Sequence, residues 1–185
     1  MEKDKEKLFK EYEDYQEYIH DLIRKTIGYF GYLDGMKARF PTPKEISWGA
    51  ADCAKDIIYQ FQTAICLNIY KLFLDEGKDV YSLKNYKSKA DNYYGKCLPI
   101  KKPKIKQSLK QTITDFRKKI IAHSINVDGL SILMSDLFVL LKDAIFYYNQ
   151  LTDDKLFGKE SLFTDLGIEN WINHSKNGLI ELLNE

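Results

Sequence analysis

Arg117 and His123 lie six positions apart in the run Arg117-Lys118-Lys119-Ile120-Ile121-Ala122-His123. A guanidinium stabilises the charge that builds on a phosphoryl group, and an imidazole moves protons near neutral pH. Together they are the smallest set of side chains that cuts RNA without a metal. Six residues of α-helix advance about 9 Å and turn through about 600°, which leaves the two side chains about 120° apart. They do not stack on one face, but they can still border one groove, because arginine is long and helix ends often distort. His123 continues the apolar stripe of Phe116 and Ile120, and Arg117 sits at its edge between Ile113 and Ile121. That placement suits a site between two helices or between two subunits. A plainer reading competes with it. A histidine closing an apolar stripe near a helix C-terminus also serves as a core residue or as a cation facing the helix dipole. The residues alone favour that plainer reading.

The charge pattern leads into the same segment. From Lys96 to Lys119 there are nine basic residues and one acid, Asp115, in a chain whose net charge is only +1. Lys101, Lys102, Lys104, Lys106, Lys110, Lys118 and Lys119 are the candidate contacts for an RNA backbone, since phosphate binding is a matter of local positive charge. A solvated lysine-rich face explains them equally well. Tyr93, Tyr94 and Phe116 are candidate base-stacking rings, although thirteen tyrosines in 185 residues make such a coincidence cheap.

Other chemistry is thinly represented. Asp52 and Asp56 stand four apart with no second acidic pair, which reads as a solvated helix face. His20 reads as trim at the edge of an apolar stripe, and His174 has no carboxylate or cysteine cluster around it in sequence. No glycine-rich phosphate loop and no nucleophile elbow occurs. The reading expects no cofactor and no metal. Cys53, Cys66 and Cys97 are odd in number and widely spaced, as reduced thiols would be. Cys53 and Cys66 fall in an apolar helical run and are expected in the core.

The elements that must position these residues read almost entirely as helix. Leu8, Tyr12, Tyr15, Ile19, Leu22, Tyr29 and Leu33 recur at steps of three and four, broken only by Thr26. Gly31, Gly35 and Pro41 are expected to stop that helix. Thr42-Pro43-Lys44-Glu45 has the form of a capping box opening a second helix that runs to about Asp75. Its many apolar positions predict the central buried helix. A short helix is expected within Asp79 to Tyr94, and a loop from Gly95 to Pro103. A third long helix starts near Ile105 and runs to about Asn126. The fourth, from Leu130 to Leu151, has the widest apolar face, enough for more than one neighbour. A short helix from about Glu169 to Leu183 could dock through Trp171, Ile172, Leu179 and Leu182. The fold class expected is all-α: an up-and-down four-helix bundle over residues 1–152 with a short helical insertion, and a C-terminal helical appendage over 153–185 docked on it.

The motif, late in such a bundle, resembles the signature of the HEPN superfamily (higher eukaryotes and prokaryotes nucleotide-binding domains), an arginine and a histidine separated by four to six residues. Here five residues separate Arg117 from His123, and Ile120-Ile121-Ala122-His123-Ser124 is similar to variants among small bacterial HEPN proteins of the abortive-infection type. The resemblance implies a homodimer in which two motifs meet at the interface. It implies a metal-independent endoribonuclease of toxin or phage-defence type, with Arg117 stabilising the transition state and His123 as acid or base, leaving 2′,3′-cyclic phosphate ends. It also implies a possible antitoxin partner. Two positions depart from the family pattern. Lys118 stands where many active members have asparagine, aspartate or histidine, and Ile125 stands where some carry a tyrosine that a partner enzyme modifies.

Three readings follow: an RNA-cleaving dimer, a non-catalytic module binding nucleotide, RNA or a partner protein in the same cleft, and a helical scaffold. The charged start, Met1-Glu2-Lys3-Asp4-Lys5, does not read as a signal peptide, and the apolar stretch from Ile57 to Tyr70 is too short and too polar to span a bilayer. The expectation is a cytoplasmic protein with no membrane partner.

Overall fold

The computed structural model describes residues 2–40, 48–78, 80–100, 103–121, 133–152 and 165–184. Among them there are six helices and no strand: α1 (Glu2–Arg39), α2 (Trp48–Phe73), α3 (Leu83–Tyr94), α4 (Gln107–Ile121), α5 (Met134–Leu151) and α6 (Asp165–Leu182). The fold is an all-α helical bundle, as the periodicity predicts. The chain divides into two compact units, Met1–Ile23 with Cys66–Leu162, and Arg24–Ile65 with Phe163–Glu185. Both α1 and α2 contribute residues to each. The capping box at 42–45 and the expected boundary at 152/153 lie in or against segments outside the described residues.

The first unit is organised around a buried tyrosine lattice. Tyr12 of α1, Tyr86 of α3 and Tyr148 of α5 are all essentially inaccessible. The rings of Tyr12 and Tyr86 stack at 5.5 Å and those of Tyr86 and Tyr148 at 5.8 Å. Burial of a phenol requires a partner for its hydroxyl, and each is supplied. Tyr12 donates to the Leu151 carbonyl at 2.9 Å, one of the orphan acceptors at the end of α5. Tyr86 donates to the Tyr12 hydroxyl at 3.3 Å and lies 3.2 Å from Thr152 Oγ1, which itself donates to the Tyr148 carbonyl. Desolvation pushes the Tyr12 and Tyr86 phenols far above their ordinary range, so both remain neutral donors. Three helices are thereby tied together by polar bonds as well as by area.

Local chemistry fixes α3. Ser82 caps its N-terminus, and the Asn85 side-chain amide donates to the carbonyls of Gly77 and Val80, both at 2.8 Å. Gly95, at φ 63°, closes the helix in the left-handed conformation that glycine adopts without strain.

In the second unit α1 does not stop at Gly31 or Gly35, against the sequence expectation; it runs through both to Arg39. The glycines serve packing instead of termination. A β-carbon on Gly31 would lie 2.5 Å from the Ile172 carbonyl oxygen, and one on Gly35 would lie 3.1 Å from that of Lys176. Hydrogen at these positions lets α6 approach the backbone of α1. The seam advances in the same sense along both helices, Gly31 against Ile172 and Ser175, Gly35 against Lys176 and Leu179. Leu179 meets α1 through its side chain and Ile172 through its backbone, while Trp171 and Leu182 remain exposed.

Two further expectations are corrected. Within the described side chains of α2, full burial is confined to Ala54 and positions from Ile65 onward; Ile57, Ile58 and Phe61 are half-exposed. Cys53 falls on the solvent side and is exposed, whereas Cys66 is in the core, where desolvation pushes its thiol up to about 12. An apolar run predicted burial, but the helical rotation between positions 53 and 66 decides it.

The glycine seam predicts opposite signs for two alanine substitutions. Alanine stabilises a helix over glycine by roughly 1 kcal/mol, and overpacking costs roughly 1–3 kcal/mol. At Gly31 the obstacle is backbone, so the clash dominates and Gly31→Ala lowers the melting temperature. Nothing lies within 4 Å of a β-carbon at Gly178 of α6, so Gly178→Ala raises it. Thermal unfolding followed by far-UV circular dichroism compares the two.

Candidate functional site

The arginine of the motif lies on the rim of the first unit's core. On α4, Ile113 and Phe116 are buried, and Arg117, next along the helix, is half-buried. Its guanidinium carbon lies 4.4 Å from the ring centroid of Tyr70. The adjoining Ile69 and the nearby Phe73 are buried, which anchors the turn of α2 that carries the ring. Among the described residues Arg117 has no carboxylate partner. A cation over an aromatic ring is held without an acid, and a guanidinium can grip a phosphate in two places through its N–H donors. Stacking of this kind stabilises by about 0.5–2 kcal/mol, more as water is excluded. His123 lies outside the described residues.

The lysines do not form one stripe. Taking 100° per residue, Lys110 lies only about 20° from Arg117 around α4, while Lys118 and Lys119 lie about 100° and 200° away. Lys118 is exposed and 4.0 Å from Asp115, whose carboxylate also accepts from Gln111. Lys119 is half-buried and Lys110 exposed. Both Lys118 and Lys119 stand in the last turn of α4, where cations complement the helix dipole. Lys104 and Lys106 line a groove of about 520 Å³ between α4 and α5, and Asp136 and Asp143 line it too. Lys101 and Lys102 lie outside the described residues.

The rings named as base-stacking candidates are already engaged. Phe116 is buried, and Tyr93 packs on Phe9 and Tyr12 at 5.5 and 5.3 Å. Tyr94 sits edge-on to Tyr12. The packing of Tyr93 and Tyr94 follows from the lattice around Tyr12, which a count of tyrosines does not foretell. The aromatic that sequence reasoning missed is Tyr70. It is 47 positions before Arg117 in the chain, and only its place one turn after buried Cys66 hinted at a rim position.

Asp52 and Asp56 are exposed, and Asp52 pairs with Lys55 at 3.3 Å, a solvated helix face as read. His20 is half-buried, 6.2 Å from the Tyr148 ring. His174 is exposed on α6, in the second unit. Among the described residues no group of three or more His, Cys, Asp or Glu is placed to hold a metal ion, and no helix is long and apolar enough to cross a membrane. Along α5 the predicted stripe is buried at Leu137, Leu140, Leu141, Ala144, Tyr148 and Leu151. Leu133, just before α5, is 61% exposed, and Val139 and Phe146 are exposed on a different edge of the helix. Comparison with family models, with curated proteins and with solved structures finds no match.

The Arg117–Tyr70 contact is testable as a coupling energy. A double-mutant cycle with Arg117→Ala and Tyr70→Ala, read by urea denaturation, is expected to give a coupling of about 0.5–2 kcal/mol. Tyr70→Phe, which keeps the ring, should leave stability within about 0.5 kcal/mol of the parent chain.

Proposed function

We propose that the chain is a HEPN-like dimeric protein that cuts RNA without a metal, using Arg117 and His123. The observation that supports this most is the state of Arg117: half-buried, stacked on Tyr70 and without a carboxylate partner among the described residues. An arginine held for stability alone is commonly paired with an acid; one supported by an aromatic face is held ready for an incoming anion. In the reaction, the RNA 2′-oxygen forms a bond to phosphorus and the bond to the 5′-oxygen breaks. One imidazole accepts the 2′-hydroxyl proton and another protonates the leaving 5′-oxygen. Arg117 stabilises the phosphorane-like charge. The products are a 2′,3′-cyclic phosphate and a 5′-hydroxyl.

Two proton transfers call for two histidines, hence a homodimer with one His123 from each copy. Val139 and Phe146, exposed and seven residues apart on one edge of α5, support self-association, since exposed apolar side chains sharing a helix edge favour a covering partner. Lys101, Lys102, Lys104, Lys106, Lys110, Lys118 and Lys119 would serve as phosphate contacts. In this reading the protein acts in the cytoplasm as a toxin or phage-defence effector, restrained by an antitoxin protein.

A second reading is a non-catalytic binding module. The observation that favours it is the mixed charge of the α4–α5 groove, where Asp136 and Asp143 accompany Lys104 and Lys106. Such a lining suits a protein segment of both signs better than a phosphate backbone.

The test is incubation of the protein with total RNA in excess EDTA. Cleavage is expected to persist and to fall roughly 10²–10⁴-fold in His123→Ala and roughly 10²–10³-fold in Arg117→Ala. RNA bound but left intact by the parent chain would favour the binding module, and equal cleavage by all three proteins would sink the assignment.

A further inference from the structure

The seam between α1 and α6 holds chemistry that the reading above does not use. Both sides of it belong to the second unit. A groove of about 640 Å³ opens there, within the range that encloses a small organic ligand. From α1 it is lined by the cations Arg24 and Lys25 and by the rings of Tyr29 and Tyr32; from α6, by Trp171 and His174. Among the described residues no carboxylate lines it. That separates it from the α4–α5 groove, where two aspartates balance two lysines. Along α1 the cations come first and the rings follow one turn later, so charge and aromatic surface occupy successive stretches of one seam.

The floor is made by absence of side chains. Gly28 sits between the cations and the rings, and a β-carbon there would be 3.6 Å from Ser175 Oγ. The close approach at Gly31 then shuts the seam's depth behind it. A smaller groove of about 260 Å³ shares Tyr32, His174 and Ser175 and continues toward Leu179 and Leu182. The arrangement has a basic end, an aromatic middle that is only partly covered, and an apolar end.

We propose that this seam binds a small anionic aromatic ligand of the nucleoside monophosphate class. The phosphate would sit at Arg24 and Lys25, which suit it as charged donors. The base would stack on Trp171 and against the outer edges of Tyr29 and Tyr32, whose rings also pack on Phe61 at 6.0 and 5.2 Å, because any base offers a π-face to such rings. His174, beside the rings, is placed to donate to the ribose or phosphate. The two tyrosines and Trp171 favour a flat ring over an alkyl chain, and the lining by Arg24 and Lys25 favours an anion over a cation.

The experiment titrates the full chain with AMP, adenosine, inorganic phosphate and laurate, each followed by tryptophan fluorescence and by calorimetry. AMP is expected to saturate at micromolar to low millimolar concentration and to quench Trp171. Adenosine and phosphate alone should each bind at least tenfold more weakly. The double variant Arg24→Gln/Lys25→Gln changes exposed side chains, so it should keep the parental far-UV circular dichroism spectrum while weakening AMP at least tenfold. Trp171→Leu should abolish the quench attributable to that residue and weaken AMP. The assignment is overturned by failure of AMP to bind at 5 mM (on the order of the weakest affinity worth assigning), by adenosine binding as tightly as AMP, by AMP binding unchanged in the charge variant, or by laurate outcompeting AMP. Because the site shares no residue with Arg117 or His123, its failure leaves the RNA-cleavage reading standing, and the converse holds.

Discussion

The face of Tyr70 against the guanidinium of Arg117 is the contact on which the functional account depends. Without it, a half-buried arginine beside a hydrophobic core has two ordinary fates: to extend its head into water or to find an acid. The ring gives it a third. Among the described residues the guanidinium has this ring and no carboxylate as its partner, which differs from a structural salt bridge. The energy involved, about 0.5–2 kcal/mol, is small beside the stability of a domain. It is at most comparable to the rotamer entropy of one arginine, about 2 kcal/mol, so the contact biases the position of the group.

Positioning of that contact rests on the first unit's interior. Tyr12, Tyr86, Tyr148 and Thr152 join α1, α3 and α5 through hydrogen bonds that each remove a buried unsatisfied group. Such a network favours one arrangement over near-alternatives more sharply than apolar packing does. Arg117 and Tyr70 are then set by the buried residues beside them, Phe116 on α4 and Ile69 on α2. The second unit uses a different device. Its α1–α6 seam depends on two glycines whose missing side chains permit backbone contact, and the adjoining groove exists because Gly28 leaves space where the helices begin to part.

The all-helical fold was legible because its apolar periodicity is strong, most clearly in α5, where the stripe from Leu137 to Leu151 is buried as read. The ends of helices were less legible. Glycine signals both termination and close approach, and only the partner helix distinguishes them; at Gly31 and Gly35 the partner lies some 140 positions away in sequence. Cys53 shows the same limit for burial. Of the candidate site, Arg117 announced itself through its type and its setting, whereas Tyr70 and the Trp171–His174 side of the second groove did not. Contacts between helices distant in the chain leave no local pattern. The lysines illustrate the reverse error: a run in sequence looked like one surface, but helical rotation spreads Lys110, Lys118 and Lys119 around α4.

The central claim concerns chemistry at phosphorus, so the chemistry of the RNA ends is its most direct measure. RNA incubated with the chain in EDTA would be analysed by mass spectrometry of the cleaved termini. The account predicts 2′,3′-cyclic phosphate and 5′-hydroxyl ends that vanish with His123→Ala. Ends bearing 3′-hydroxyl and 5′-phosphate, or RNA left whole by the parent chain, would contradict it.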